Sequence, residues 1–253
     1  MSVLAVALLV ACGRDGSSRG TGPDRSSKAI GTVSLGPVTA YVDADAWRLL
    51  EELGETPDRL LEDVVEPVRS LLPLPETEVV VQVAPEHAVG KYGIGGFTDP
   101  KAGRVYISLD DGFRDLGASI EGLFDRLLAH ELHHALRIIE GPGYGKTVGE
   151  EVITEGLADV FVTEAFPDEG PLSVAVDLSG AELDEVFRVF RREVDRRYGR
   201  SGHARWFYGS AELPPNAGYS LGFDLVKRYI DEKGRSAGEM VLVPAGVILE
   251  EFV

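Results

Sequence analysis

The sequence predicts an α+β fold in which a small mixed or antiparallel sheet packs on a pair of helices, with further helices toward the C-terminus. Short runs of β-branched residues lie in the first half of the chain, and two long stretches with helical apolar spacing follow them. The chain has 253 residues, of which 44% are hydrophobic and 26% are charged. This length and hydrophobic content are sufficient to form a full-sized hydrophobic core. Collagen-like, wholly disordered and disulfide-stapled classes are therefore excluded.

The first helices and strands follow from spacing and composition. Apolar side chains recur at helical spacing from Trp47 to Val68, and Gly54 and Pro57 divide this stretch into two short helices. The segments Val79–Val83 and Arg104–Leu109 are rich in β-branched residues and are predicted to be neighbouring strands. The glycine cluster between them, residues 93–96, is predicted to be a flexible hairpin or a loop at the edge of a cleft.

Four longer helices are predicted after the strands. An apolar pattern at residues 116–139 ends at Gly141-Pro142, and Thr147 with Glu150 has the spacing of a capping box that begins a second helix ending before Pro167. Residues 181–198 and 221–232 are amphipathic and predict two more helices.

Charge and cysteine content restrict the partners and the metal sites. Asp and Glu number 42 against 25 Lys and Arg, so the formal charge of −17 disfavours nucleic-acid binding through a basic face. The single cysteine, Cys12, excludes an intrachain disulfide and a cysteine-based zinc ribbon. Any metal must therefore be held by histidines and carboxylates.

The N-terminus has the features of an export signal. Residues 1–11 contain an uncharged apolar run that is too short to span a membrane and is typical of a signal peptide. The run ends in Leu-Val-Ala-Cys12, which resembles the lipobox of bacterial lipoproteins, although no Lys or Arg precedes it. The resemblance implies a lipid-anchored protein at the extracytoplasmic face of the bacterial cell envelope, with membrane contact through lipidated Cys12 only. A signal peptide with an incidental cysteine is the alternative.

The remaining chain is predicted to be a tether followed by one domain. Residues 12–29 consist almost wholly of Gly, Ser, Arg and other polar residues, so they cannot bury enough apolar surface to offset the entropy of ordering. Residues 30–253 are predicted to form a single domain.

The pattern His-Glu-x-x-His occurs at residues 130–134 within the predicted helix. On a helix, His130 and His134 lie one turn apart on the same face, so both imidazoles can reach one ion, and zinc is the expected metal. Glu131 is rotated by about 100° from His130, which suits a general base beside the metal rather than a ligand. His133 is predicted to have a structural role or to contact a ligand.

The next helix supplies candidates for a third ligand, because Glu151, Glu155 and Asp159 form an acidic stripe along it. Glu155 is predicted to be the ligand, which leaves the fourth position of zinc open for catalysis. Asp159, one turn further, is placed to accept the outward N–H of a ligating imidazole, for which His130 is preferred.

These motifs resemble those of the gluzincins, which are metallopeptidases with a His, His, Glu zinc site. The segment Glu-Gly-Leu-Ala-Asp at 155–159 and the Gly-Tyr pair at 218–219 narrow the resemblance to a bacterial family of predicted zinc-dependent proteases. The resemblance implies a zincin-like domain with His130, His134 and Glu155 as zinc ligands and Glu131 as catalytic residue.

Peptide-bond hydrolysis also needs a neutral donor for the oxyanion that forms during the reaction. Tyr219 is the first candidate, followed by His203 and Tyr208. In the gluzincins an edge strand before the metal helix pairs with extended substrate, which implies this role for residues 104–109, where Tyr106 or Ser108 could lie near the cleft.

We therefore expect a zinc metallopeptidase that acts on peptide or protein substrates. Two alternatives stay open at this point. One is a non-catalytic binding lipoprotein of the cell envelope with structural zinc or none, and the other is a zinc enzyme that cleaves an amide in a cell-wall or small-molecule substrate. The oligomeric state is not predicted.

Overall fold

A computed structural model describes residues 29–197 and 199–253 of the chain. The predicted signal peptide, Cys12 and nearly all of the predicted tether lie outside the described residues. Five strands form one sheet: β1 (Ala29–Leu35), β2 (Val38–Asp43), β3 (Thr77–Val83), β4 (Ile94–Thr98) and β5 (Val105–Leu109). The α-helices are α1 (Ala44–Glu52), α2 (Pro57–Leu71), α3 (Leu116–Ile139), α4 (Val148–Ala165), α5 (Gly180–Glu193), α6 (Arg200–His203), α7 (Ala217–Lys233), α8 (Ala237–Met240) and α9 (Ala245–Leu249). The predicted α+β class is confirmed.

The sheet is mixed, with strand order β1-β2-β3-β5-β4. The outer pairs β1–β2 and β4–β5 are antiparallel, whereas β2–β3 and β3–β5 are parallel. Side chains alternate between a buried face and an open face, because Val79 and Val81 are buried while Glu78 and Gln82 on the same strand are half-buried. The buried face packs against the helices.

One prediction about the strands before the metal helix is wrong. Residues 104–109 were expected to form the edge strand, but β5 lies between β3 and β4, and β4 is the edge. Of the two alternatives for the glycine cluster, the structure shows the hairpin, because all but the first residue belong to β4, which pairs with β5. The glycines allow other parts of the chain to pack closely against β4, where a side chain would collide with them. A Cβ on Gly95 would lie 2.5 Å from the His87 carbonyl oxygen, and one on Gly96 would lie 2.7 Å from Glu131 Oε1.

The predicted start of α4 is confirmed by its capping box. The Thr147 hydroxyl accepts the Glu150 N–H at 3.2 Å, and the Glu150 carboxylate accepts the Thr147 N–H at 3.1 Å. The two later amphipathic helices also form, but α5 ends at Glu193 and α7 begins at Ala217, so the predicted boundaries are several residues late.

Helix α7 crosses α4 at two glycines. A Cβ on Gly156 would lie 2.2 Å from the carbonyl oxygen of Gly222, so the two backbones are in direct contact. This crossing brings the first turn of α7 beside the predicted metal ligands. None of the helices within residues 29–197 and 199–253 has both the length and the apolar composition needed to cross a membrane.

Candidate metal centre

Helices α3 and α4 bring together the three predicted ligands. His130, His134 and Glu155 each offer a ligand atom, and these atoms all lie within 4.8 Å of one another. All three side chains are 0% exposed. The one-turn separation of the histidines on α3 and the capped start of α4 produce this convergence.

The distances within this cluster suit a tetrahedral metal. The two histidine Nε2 atoms are 2.9 Å apart, and Glu155 Oε2 lies 3.2 Å from His130 Nε2 and 3.4 Å from His134 Nε2. Ligands about 2.0–2.1 Å from one zinc ion lie roughly 3.3 Å from each other in a tetrahedron. The set of two imidazoles and one carboxylate is also a known zinc donor set, so the residues fit zinc.

Asp159 contacts the opposite side of the first histidine. Its Oδ1 lies 3.0 Å from His130 Nδ1, and both side chains are fully buried. A carboxylate in this position holds the proton on Nδ1 and turns Nε2 toward the ligand cluster. Burial opposes protonation of His130, but Asp159 and Glu155 outweigh it and raise its pKa well above the ordinary value.

The buried Glu155 carboxylate makes the cluster favourable for a cation. Burial opposes ionisation of Glu155, but the nearby His134 and His130 outweigh it and lower its pKa below the ordinary range. Glu155 is therefore ionised at neutral pH, which is the form a metal ligand needs.

Glu131 is held against the edge strand. Its Oε2 accepts a hydrogen bond from the Thr98 hydroxyl at 2.6 Å, and its Oε1 faces Gly96. Burial raises the pKa of Glu131, although His130, His134 and the hydrogen bond from Thr98 oppose this shift. A carboxylate with a raised pKa beside a metal site is suited to accepting a proton.

Tyr219 lies in the first turn of α7 and is fully buried. Across the part of the chain that the structure describes, its hydroxyl has no hydrogen-bond partner. Burial and the carboxylate of Glu155 raise the pKa of Tyr219 well above its ordinary value, so the hydroxyl stays protonated. It is therefore a neutral donor available to a bound group.

With this geometry in hand, comparison with known proteins gives a decisive match. The model of the family described as "Predicted Zn-dependent protease (DUF2268)" matches residues 62–250. The chain belongs to this family. The matched range includes both metal-site helices, the edge strand β4 and Tyr219.

Two further similarities accompany this membership of the predicted Zn-dependent protease family. The uncharacterized protein YjaZ of Bacillus subtilis (strain 168) is 24% identical over 138 residues, which cover 52% of either chain. The chain thus matches about half the length of this relative. The structure of yeast LTA4 hydrolase in complex with bestatin has a TM-score of 0.44 and 10% identity, covering 88% of this chain and 33% of that chain.

The two weaker candidates for the oxyanion donor contact each other. His203 Nε2 lies 3.2 Å from the Tyr208 hydroxyl, and His203 Nδ1 lies 4.0 Å from a carboxylate oxygen of Glu151. The Phe207 ring stacks on the His203 ring, with centroids 4.8 Å apart, and meets the Tyr219 ring edge-to-face, with centroids 4.6 Å apart. Phe207 therefore contacts both Tyr219 and His203, and all three candidate donors lie in one aromatic cluster.

Sequence reasoning missed several residues around the site. Thr98 carried no signal, because a lone threonine 33 positions from Glu131 in sequence is not part of any motif. Tyr144, in the loop between α3 and α4, lies with its ring 5.0 Å from His134 and was not singled out. His133, in contrast, was considered from the sequence; it is buried against Phe161, with the two rings 5.4 Å apart, and lies outside the ligand cluster.

Proposed function

We propose that this protein is a zinc-dependent peptidase whose metal is held by His130, His134 and Glu155. The observation that carries the proposal is the convergence of these three buried ligand atoms directly beside Glu131 and the edge strand β4. Membership of a family of predicted Zn-dependent proteases supports the same conclusion.

The chain's own residues supply the proton transfers. Zinc, when bound, polarises the scissile carbonyl and lowers the pKa of water toward neutrality. Glu131 accepts the proton of the attacking water and passes it to the leaving amine, while the bond from Thr98 holds its carboxylate in place. The Tyr219 hydroxyl donates a hydrogen bond to the carbonyl oxygen as it becomes negative.

The outer edge of β4 at Gly96 and Thr98, called the free edge below, supports an extended peptide as the substrate. At Ile94 the same edge is already occupied, because the Ile94 carbonyl accepts the Val89 N–H at 3.2 Å. The Asp99 N–H donates to the Arg104 carbonyl at 2.8 Å, so the backbone of Asp99 faces the neighbouring strand. Since alternate residues of an antiparallel strand face opposite sides, the backbone groups of Gly96 and Thr98 face the free edge. A peptide that pairs with Gly96 would pass next to Glu131.

The substitution Glu131→Gln tests the catalytic role. We expect the variant to bind one zinc per chain and to lose at least about 10³-fold in kcat, because the amide cannot accept the proton of water. Metal analysis and cleavage of a casein or peptide-library substrate measure the two effects.

Glu121→Gln, an exposed substitution on the same helix, is the control and should keep full activity. Turnover by Glu131→Gln equal to that of the parent protein would refute the mechanism. Zinc binding without any peptide cleavage by the parent would favour the non-catalytic alternative.

We also propose that the protein acts outside the cytoplasm as a lipoprotein, which the apolar run and Cys12 support. The variant Cys12→Ala should then lose incorporation of radiolabelled palmitate and leave the membrane fraction. Equal lipid labelling of the parent and the variant would refute this proposal.

A further inference from the structure

A cavity lies on the open face of the sheet, on the opposite side of β4 from Glu131. It has a volume of about 470 Å³ and lies between a 3-10 turn at Pro85–His87 and strands β3, β5 and β4. Its volume is within the range of about 300–1,000 Å³ that is usual for ligand pockets. The polar side chains that line this outer cavity are Gln82, Glu86, His87, Asp99, Tyr106 and Ser108.

The outer cavity and Glu131 lie on opposite faces of β4. Thr98 turns its side chain toward Glu131, so Phe97 and Asp99 turn theirs to the open face, where they line the cavity. The cavity also reaches Gly96, the residue of β4 that abuts Glu131. One point on the edge strand is therefore close to both the metal centre and the outer cavity.

The charges in the outer cavity favour a cation. Glu86 and Asp99 line it, and no Lys or Arg is among its lining residues in the described chain. Arg104 contacts the wall of the cavity through a hydrogen bond with the Tyr106 side chain, and its charge is paired with the Glu78 carboxylate. One carboxylate oxygen of Asp99 accepts the Lys101 N–H at 2.8 Å, which leaves its other oxygen for a ligand.

The walls of the cavity also match a long, partly apolar side chain. The rings of Phe97 and Tyr106 stack with centroids 6.1 Å apart and form one wall. Ser108 is only 3% exposed, and its hydroxyl accepts a hydrogen bond from the Gln82 side-chain amide at 3.3 Å. These two side chains are polar groups in the cavity lining. Arginine and lysine combine an apolar stem with a cationic head in this way.

We propose that the outer cavity binds an arginine or lysine side chain of a peptide paired with the free edge of β4. This inference rests on the proposed function, because it places the same peptide along Gly96. In an added strand, side chains alternate between the two faces of the sheet. A residue next to the one facing the metal centre would therefore direct its side chain toward the outer cavity.

Peptide binding to the zinc-loaded Glu131→Gln variant tests the inference without relying on turnover. The probes are fluorescent octapeptides of alanine and glycine in which each position in turn is Arg, Leu or Glu. We expect one position at which Arg binds about tenfold more tightly than Leu, with Glu weakest, by fluorescence anisotropy.

Substitutions that remove the charges of the outer cavity test whether it causes the preference for Arg. In the Glu131→Gln variant, the further changes Glu86→Gln and Asp99→Asn together should reduce the ratio of the affinities for the Arg and Leu peptides to about one. The Asn side chain can still accept the Lys101 N–H. Adding Glu86→Lys should raise the affinity for the Glu peptide. Glu62→Gln, an exposed substitution on α2 that removes one negative charge outside the cavity, is the control and should keep the parent ratio.

Each outcome decides the inference. Equal binding of Arg and Leu peptides at every position, no peptide binding at all, or an Arg preference that survives the double substitution would overturn it. A preference abolished by the double substitution but kept in Glu62→Gln would support it. If that preference is found while the zinc-loaded parent cleaves no peptide, the proposed function fails and the binding site stands.

Discussion

At the scale of single residues, the site depends on the contact between Thr98 and Glu131. A general base gains little from proximity alone, because its carboxylate must also point at the water that it deprotonates. The Thr98 hydroxyl fixes one oxygen of this carboxylate, and the missing side chain at Gly96 leaves room for the other. The edge strand thus orients the carboxylate of Glu131.

The hydroxyl of Tyr219 provides a prediction at this scale. Tyr219→Phe should lower kcat by about 10²-fold, because it removes a donor that acts only as the oxyanion forms. KM and zinc content should stay close to the parent values, as measured by steady-state kinetics and metal analysis.

Tyr41→Phe, a half-exposed position on β2, serves as the matched control and should be silent. An unchanged kcat for Tyr219→Phe would exclude Tyr219 and turn attention to the pair of His203 and Tyr208.

Helical spacing predicted that His130 and His134 share one face and that Glu151, Glu155 and Asp159 share another. That Glu155 joins the two histidines also requires the two helices to pack side by side, which the structure shows. Their roles as ligands stay predictions. Thr98 and Gly96 could not be assigned in the same way, since their contact with Glu131 depends on how a strand from a different part of the chain packs against α3.

At the scale of elements, the crossing of α4 and α7 is the tightest contact around the site. Gly156→Ala should destabilise the protein by about 3 kcal/mol, because a Cβ would lie 2.2 Å from the backbone of Gly222 and the helices would have to separate. Denaturant unfolding measures this change, and zinc affinity should fall with it since Glu155 is adjacent.

Gly122→Ala is the matched control within α3, where an added Cβ meets nothing within 4 Å. This change should stabilise the protein by up to about 1 kcal/mol through helix propensity. Equal stability of the two variants would show that the crossing can relax.

Helices were easier to predict than strands in this chain. The capping box at Thr147 and the apolar pattern of α3 are local signals, so they were read directly from the sequence. The hairpin β1–β2 turns at Gly36, which has φ 64°, but its strands carry mixed polar and apolar residues and were not assigned. Strand order depends on pairing between distant segments, which explains why β5 was mistaken for the edge.

At the scale of the whole molecule, metal binding and folding should be linked. Five polar residues of the site are fully buried: His130, Glu131, His134, Glu155 and Asp159. Because water cannot reach them, their polar groups are stabilised only by one another and by the ion that we propose to join them. At free zinc about 1,000 times Kd, binding should add about 4 kcal/mol to the free energy of unfolding, or about 10 °C in Tm.

Thermal unfolding with zinc and with a chelator measures this difference. Glu155→Ala, which lacks the third ligand, should show the same Tm under both conditions. A parent Tm that does not respond to the chelator would contradict a tightly bound ion.

The capping box at the start of α4 limits where insertions and deletions can occur in related proteins. Thr147 and Glu150 fix where the helix begins, and each residue after that point turns its side chain by about 100°. A residue inserted between the end of α3 and Tyr144 lengthens a connecting loop, whereas one inserted between Thr147 and Glu155 would rotate the carboxylate away from both imidazoles. Insertions and deletions should therefore accumulate upstream of the cap and be absent from the two helical turns that follow it.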